Sequence, residues 1–253
     1  MFDYSGKVVV VTGSSSGLGA QMAKGFADQG ANLVLTARRV EKLAEVAETI
    51  TAKGVKCLPI QCDVTDSKMV DEVAQKIFDE FGRVDVLVNC AGGNQGLGIF
   101  ETSDEEWDFT VKTDLTSLFY TSRAFARIMK DQGYGRIINI ASMYGMVGGA
   151  GEPGALSYHA SKGGVVNFTR ELASELAQYK INVNAICPGF FATELTEATL
   201  NTEAFQAYTN QVVPLKRYGK QGELNAAAVF LGSDEASYVT GVILPVDGGY
   251  TCI

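Results

Sequence analysis

Lys7-Val8-Val9-Val10-Val11-Thr12-Gly13-Ser14-Ser15-Ser16-Gly17-Leu18-Gly19 (KVVVVTGSSSGLG) is the stretch from which the fold can be read. Four consecutive valines show no polar alternation, the mark of a strand buried on both faces. Gly13 ends the run, and residues 17–29 then carry apolar positions at helical spacing. Strand, glycine turn and helix in that order form a phosphate-binding arrangement. Glycines let main chain come close to a pyrophosphate, and the helix start offers free N–H groups and a favourable dipole. The spacing is GxxxGxG rather than the more common GxGxxG. Gly13, Ser15, Ser16, Gly17, Leu18 and Gly19 are therefore candidate nucleotide-binding residues.

The rest of the chain repeats this alternation. Asn32 to Thr36, Val55 to Gln61, Val84 to Val88, Arg136 to Ala141, Ile181 to Ile186 and Val242 to Val246 read as short apolar strands. Helical patterns fill roughly 40–53, 67–80, 104–130, 157–179 and 221–231, and Ser103 with Glu106 makes a capping box for the long fourth one. Buried strands alternating with helices imply an α/β fold: a parallel sheet covered by helices on both faces. No linker, repeat or low-complexity stretch interrupts residues 1–253, so a single domain is expected.

Composition narrows the function classes. Of 253 residues, 46% are hydrophobic and 20% charged, as in ordinary globular proteins. A net charge of -8 disfavours nucleic acid and anionic membranes as partners. Cys57, Cys62, Cys90, Cys187 and Cys252 form no CxxC pair and lie in apolar runs, so they read as buried thiols with no metal site. MFDYSGK lacks the basic-then-apolar pattern of a signal peptide, and no apolar run reaches the ~18 residues of a membrane helix. The expectation is a cytoplasmic protein.

The second strand bears on the choice of nucleotide. An NAD site places Asp or Glu about 20 residues beyond the glycines, against the ribose hydroxyls. Here the strand Leu33-Val34-Leu35-Thr36 runs into Ala37-Arg38-Arg39. Two guanidiniums suit a 2′-phosphate, so NADP(H) is favoured over NAD(H), although a solvated charge pair at a helix start would look the same. Asp63, after the third strand, is placed to accept a hydrogen bond from an adenine amino group, or to open the next helix. Asn89-Cys90-Ala91-Gly92 follows the fourth strand, where small residues let main chain run beside a ribose.

Proton chemistry enters with Tyr158 and Lys162. Four apart on a helix, they share a face. A free phenol with a pKa near ~10 is a poor acid-base group at neutral pH, and a nearby ammonium stabilises its anion. A drop of roughly three units requires about 4 kcal/mol. Such pairs also arise by chance on amphipathic helices, so their setting matters. Ser142 ends the fifth strand sixteen residues earlier, where a hydroxyl either caps the strand or meets a carbonyl oxygen gaining negative charge. His159, the only histidine, points about 100° away from Tyr158 and reads as solvent-facing or packed. A nucleotide site, an acid-base pair and an orienting hydroxyl together point to hydride transfer.

As a set these residues resemble the short-chain dehydrogenase/reductase family over essentially the whole chain. TGSSSGLG from Thr12, CDV at 62–64, NCAG at 89–92, INIAS at 138–142, YHASK at 158–162, PGFFAT at 188–193 and VDGG at 246–249 carry the resemblance. It implies a Rossmann-like doubly wound sheet of seven parallel strands, an NAD(H) or NADP(H) cofactor, and reversible oxidation of an alcohol to a ketone or aldehyde. By position, Tyr158 is the general acid-base, Lys162 lowers its pKa and holds the nicotinamide ribose, and Ser142 orients the substrate. Asp63 and Val64, Asn89, Ala91 and Gly92, then Pro188, Gly189, Phe191 and Thr193, fall on cofactor-binding positions. The helices around 104–130 and 157–179 are the family's dimer and tetramer contacts, so a homo-oligomer is expected.

Two departures stand out. Where the family has an active-site Asn in the long fourth helix, this chain has Asp114, a carboxylate able to pair with Lys162 and shift the pH optimum. The Ser142–Tyr158 interval is also longer than the family pattern, through Gly148 to Ser157 (GGAGEPGALS), beside the substrate position. The candidate pocket segments, 93–100, 143–153 and 190–211, carry Leu97, Met143, Tyr144, Met146, Phe190, Phe191 and Leu195 with Glu152 and Glu194, and no Arg or Lys. A buried anion favours a cation, so a neutral, partly apolar substrate is expected, with a lid around 190–213. At the motif level the 3-oxoacyl-carrier-protein reductases and the sugar-acid dehydrogenases are equally similar. Two other readings are a nucleotide-binding regulator without turnover, for which Asp114 speaks, and a sugar-nucleotide epimerase or dehydratase, whose relatives are longer and carry a differently spaced glycine turn.

Overall fold

The computed structural model describes residues 2–93, 97–149, 154–193 and 196–252. Seven strands form one parallel sheet in the order β3-β2-β1-β4-β5-β6-β7. They are β1 Val8–Thr12, β2 Asn32–Ala37, β3 Cys57–Gln61, β4 Val86–Asn89, β5 Gly135–Ile140, β6 Ile181–Pro188 and β7 Ile243–Val246. Each expected strand is present, with ends shifted by a residue or two. The sheet is doubly wound. β1 pairs with β2 on one side and β4 on the other, so the chain reverses direction across the sheet at the β1/β4 boundary. In such sheets a crevice opens outside the carboxyl ends of those strands, here Thr12 and Asn89.

The valine run shows why both faces are covered. Successive side chains point to opposite faces. Val9 and Val11 join a cluster with Met22, Phe26, Leu43 and Leu231, and Val8 and Val10 join another with Ile77, Phe125, Met129 and Leu176. The four valines are 2% exposed or less, so each contributes about 1.5–3 kcal/mol of burial. The first face is covered by α1 (Gly17–Ala27), α2 (Val40–Thr51) and, from later in the chain, Asn225–Gly232. The second is covered by α3 (Ser67–Phe81) and by two later helices that reach the active site.

The long fourth helix is interrupted. α4 (Asp104–Val111) opens on the expected capping box, Ser103 and Glu106 each accepting the other's backbone N–H. Lys112–Thr116 then forms a π-helical turn before α5 (Ser117–Gln132). Such a turn inserts one residue and rotates the positions after it, and Asp114 sits inside it, fully buried. α6 (Leu156–Leu176) follows β5. Two short helices, α7 (Glu197–Leu200) and α8 (Glu203–Val212), occupy the segment expected to be a lid, where no helix had been read. α9 begins at Asn225, later than its pattern suggested.

One expectation about cysteines is corrected. Cys252 is exposed on the turn Tyr250–Cys252, and Cys57 and Cys90 are only partly covered. No helix among the described residues is long and apolar enough to cross a membrane.

Candidate active site

The glycine turn is shaped by contacts that a side chain would block. Gly13 and Gly17 have φ of +66° and +58°, a left-handed backbone that costs other residues roughly 1–2 kcal/mol. A Cβ on Gly13 would stand 2.7 Å from the Cα of Ala91. Thr12 fixes that approach from below: its Oγ1 accepts the N–H groups of Cys90 and Ala91 at 3.0 and 3.1 Å. The β1 and β4 loops thus close on each other at the strand reversal.

Ser16 precedes α1 and makes no side-chain cap. Its hydroxyl instead accepts Arg39 Nη2 at 2.6 Å, while Arg39 Nε and Nη2 also reach Ser15 Oγ at 3.3 and 3.1 Å. The first-turn N–H groups of α1 are therefore left without a side-chain acceptor, which suits a pyrophosphate. The guanidinium of Arg39 lies across the serines of the turn, where a phosphate on an adenosine ribose would approach. Leu18 packs on the core below the turn.

Arg38 is exposed and acts electrostatically on Asp63. Burial opposes the charge on Asp63, and hydrogen bonds from Thr65 N and Oγ1 at 3.0 and 2.8 Å, with Arg38, outweigh it and hold the carboxyl below its ordinary range. Asp63 does not cap α3. Asp66 does, accepting Lys68 N and Met69 N. Val64 is buried in the core, so only its main chain faces the crevice.

Asn89 is turned inward. Its amide donates to Ser122 Oγ and Asn139 Oδ1 and accepts from Thr121 Oγ1, so its side chain braces β4 rather than reaching for a ligand. Gly92 brings the following loop onto the proton machinery: a Cβ there would lie 3.1 Å from Asp114 Oδ1 and 3.5 Å from Lys162 Nζ.

Tyr158 and Lys162 occupy the first turns of α6. Lys162 Nζ is 5.5 Å from the Tyr158 ring centroid and donates to the Ile140 carbonyl at 3.0 Å. That carbonyl lies two residues before Ser142, which ties the lysine to the strand end bearing the hydroxyl. α6 presses on the turn Met143–Gly145, where a Cβ on Gly145 would meet the Lys162 carbonyl at 2.5 Å. Ser142 Oγ accepts the Tyr144 N–H at 3.2 Å, leaving its own proton to donate. Lys162 is 5% exposed. Burial works to strip its proton, but Asp114, with Tyr158, holds its pKa above the ordinary lysine value. Asp114 accepts the Gly93 N–H at 2.7 Å through Oδ1, and its Oδ2 is 3.8 Å from Lys162 Nζ.

The segment after β6 folds over α1. Gly189, next to Pro188, bonds Val246 and has no room for a Cβ against Asp247. Gln21 of α1 holds the Ala192 carbonyl at 3.2 Å and the Gly222 N–H at 3.0 Å. Thr193 bonds Thr196 Oγ1, and a Cβ on Gly17 would stand 3.6 Å from Thr193, so this residue lies beside the phosphate turn. The Phe191 ring is buried against the core cluster, and its main chain bridges to Gly219.

On the substrate side, aromatic rings meet that no local pattern connected. Tyr144 stacks on His159 with centroids 4.4 Å apart and meets Phe190 and Tyr250 edge-on. Phe190 in turn meets Phe205 and Tyr208 of α8. His159 is thus a packed residue, its Nδ1 on the Ala155 carbonyl at 2.8 Å. Phe205 and Tyr208 fall inside the expected pocket segment 190–211, whereas Gln21 and Tyr250 meet partners so distant in the chain that no periodic signal connects them. Glu152, Glu194, Leu195 and residues 150–153 of the longer interval lie outside the described residues.

Comparison with known proteins agrees with this geometry. Residues 13–251 match the family model described as enoyl-(acyl carrier protein) reductase. The chain is 37% identical over 251 residues to gluconate 5-dehydrogenase of Gluconobacter oxydans, covering 99% of this chain and 97% of that protein. It is 38% identical over 244 residues to the 3-oxoacyl-[acyl-carrier-protein] reductase of Haemophilus influenzae, covering 96% and 98%. Among solved structures, a gluconate 5-dehydrogenase from Burkholderia cenocepacia in complex with NADP and tartrate superposes with a TM-score of 0.94 at 32% identity, covering 100% of this chain and 98% of that one.

Proposed function

The chain belongs to the short-chain dehydrogenase/reductase family and is an NAD(P)-dependent oxidoreductase interconverting an alcohol and a carbonyl compound, and from that premise we propose that it uses NADP(H) on a neutral, partly apolar substrate, with Tyr158 as general acid-base. The observation that carries the cofactor preference is Arg39 resting on Ser15 and Ser16 at the end of a second strand that has no carboxylate. A guanidinium there matches a 2′-phosphate and binds it far more strongly than an uncharged ribose diol. The NADP held by the Burkholderia cenocepacia relative supports the same reading.

A bound nicotinamide supplies the hydride for reduction and accepts it in oxidation. The chain's own residues handle the oxygen. Ser142, its acceptor lone pair engaged by Tyr144, donates its proton to the substrate oxygen as charge gathers there. Tyr158 gives that oxygen a proton during reduction and removes it during oxidation. Lys162 stabilises the phenolate this creates, and burial strengthens its effect by excluding water. Gly13, Gly17 and the uncapped start of α1 would hold a pyrophosphate, and Thr193 stands beside Gly17.

The substrate reading rests on the aromatic wall of Tyr144, Phe190, Phe205 and Tyr250 beside the proton machinery. The nearest described cations on that side are engaged: Lys216 bonds the Asn210 carbonyl and Arg217 forms a two-pronged pair with Glu223. Among the described residues the wall itself is built of uncharged rings, which suits a neutral carbonyl compound. α7 and α8 act as a lid over this wall. Exposed Trp107 and Phe109 on α4 and Phe119 on α5 support association with further copies of the chain as a dimer or tetramer.

Titrating the protein with NADPH and NADH tests the cofactor assignment: NADPH binding at least tenfold tighter is expected, and tighter NADH binding overturns it. Carbonyl compounds screened with the preferred cofactor then test the substrate class. Turnover confined to carboxylated substrates would refute a neutral one.

A further inference from the structure

Beside Lys162 a buried carboxylate oxygen has no hydrogen-bond partner, as do the smaller, uncharged hydroxyls of Thr113 and Ser161 next to it in the chain. Asp114 is fully buried, and its Oδ1 is satisfied by the Gly93 N–H at 2.7 Å. Its Oδ2 bonds to nothing yet stands 3.8 Å from Lys162 Nζ. The π-helical turn Lys112–Thr116 adds the residue that turns this side chain inward. An unpartnered carboxylate oxygen in such a place is costly unless an opposite charge compensates it, and Lys162 is the cation it faces.

We infer that Asp114 is a positioning residue that acts through Lys162: its carboxylate locks the ammonium between itself and the Ile140 carbonyl and places the working pH range of Tyr158 and Lys162 higher than a neutral side chain at position 114 would. The signs agree for both partners. A nearby negative charge stabilises the ammonium, so Lys162 keeps its proton to higher pH. The same charge disfavours a phenolate beside it. Other ionisable groups around the pair do not oppose this. Burial pushes the Cys90 thiol, after β4, up to about 12 and the Cys187 thiol, on β6, up to about 11, so both are neutral where the pair works. Lys112, on the same π turn as Asp114, acts electrostatically on Asp63 instead.

Burial also raises the pKa of Asp114 itself, against the pull of Lys162 and the Gly93 bond. Below that pKa the carboxyl takes up a proton and the lysine loses its counter-charge. Above that pKa the pair is held in its charged form.

The inference rests on Tyr158 and Lys162 being the acid-base pair, so its test is read first without turnover. Tyrosinate absorbance of the cofactor-free protein is titrated for the native chain and for Asp114→Asn, each minus its Tyr158→Phe counterpart to isolate one phenol. Asn keeps an oxygen for the Gly93 N–H. The Tyr158 midpoint is expected to fall by about one pH unit in Asp114→Asn, and the acid limb of kcat/KM for alcohol oxidation to move down with it. A midpoint unchanged within about 0.2 units, as a carboxyl that stays protonated would give, overturns the inference. A second measurement needs no change at Asp114. The ¹³Cε resonance of Lys162, assigned by loss in Lys162→Arg, should titrate above the ordinary lysine value of ~10.4 in the native chain, and a midpoint below it equally overturns the inference. Absence of turnover with a shifted phenol midpoint would count against the enzymatic reading alone.

Discussion

The two sides of the crevice are built differently. On the nucleotide side, main chain meets main chain. Gly13 lies against Ala91, Gly189 against Asp247, and Thr12 pins the β4 loop. On the substrate side, side chains meet side chains: Tyr144 on His159, Phe190 among Phe205, Tyr208 and Tyr250. Main-chain contacts leave no slack, because a single methyl group has nowhere to go. Rings can repack. The nucleotide side should therefore be intolerant of small additions and the substrate side tolerant of sizeable losses. Tyr158, Lys162 and Ser142 lie on the seam between the two.

The largest effect is expected at the seam. Tyr158→Phe removes one hydroxyl and should lower kcat by about 10²–10⁴-fold, with NADPH affinity within about twofold of native in a fluorescence titration. Retained turnover would remove the tyrosine from the mechanism. The next largest belongs to the nucleotide side. Gly13→Ala adds one methyl at φ +66° and 2.7 Å from the Ala91 Cα. The backbone strain alone is roughly 1–2 kcal/mol, and the β4 loop must also retreat. NADPH affinity should fall at least tenfold, and native affinity would show that this side has the slack denied to it above. Arg39→Ala should weaken NADPH binding about tenfold and NADH binding far less, because a charge-assisted contact to a 2′-phosphate outweighs the bonds to Ser15 and Ser16. Equal losses for both cofactors would mean that Arg39 supports the serines of the turn rather than a phosphate.

The same contrast explains what could be read in advance. Strand, glycine turn and helix are local features, so Val8 to Gly19 announced the β1–α1 unit, and the spacing of Tyr158 and Lys162 placed both on one helical face. The sheet itself followed from alternating buried runs. Residues that act at a distance were harder. Asn89 stands in a motif next to the ligand position, yet its amide is consumed by Ser122, Thr121 and Asn139, which only the folded chain brings together. Phe191 follows the Pro188-Gly189 turn and still points into the core, since one step along an extended chain reverses a side chain's direction. α8 is hard to read in sequence because its ten residues are half polar and its apolar positions are two alanines, two aromatics and one valine. Its ring partner Phe190, half-buried, stands more than ten residues before it. The π-helical turn that buries Asp114 had no signal in a helical pattern that ran unbroken from 104 to 130.

The smallest effect tests the tolerant side. Phe190 is half-buried at the centre of the aromatic cluster, with ring centroids 5.0 Å from Phe205 and 5.9 Å from Tyr250, both edge-on. Such pairs contribute about 0.5–1.5 kcal/mol each beyond their buried area, and neighbouring rings can move in to recover part of what Phe190→Ala removes. A net loss of about 1 kcal/mol in substrate binding is roughly a fivefold change. KM for a neutral, apolar carbonyl compound should therefore rise about fivefold with kcat little changed, the pattern of an interaction made equally in the ground and transition states. NADPH affinity should be untouched, since Phe190 shares no contact with the glycine turn. Removing a whole ring would then cost less than adding one methyl at Gly13. If Phe190→Ala instead weakens NADPH binding and spares KM, the aromatic cluster belongs to the nucleotide side, and the division drawn between main-chain and side-chain construction fails at its centre.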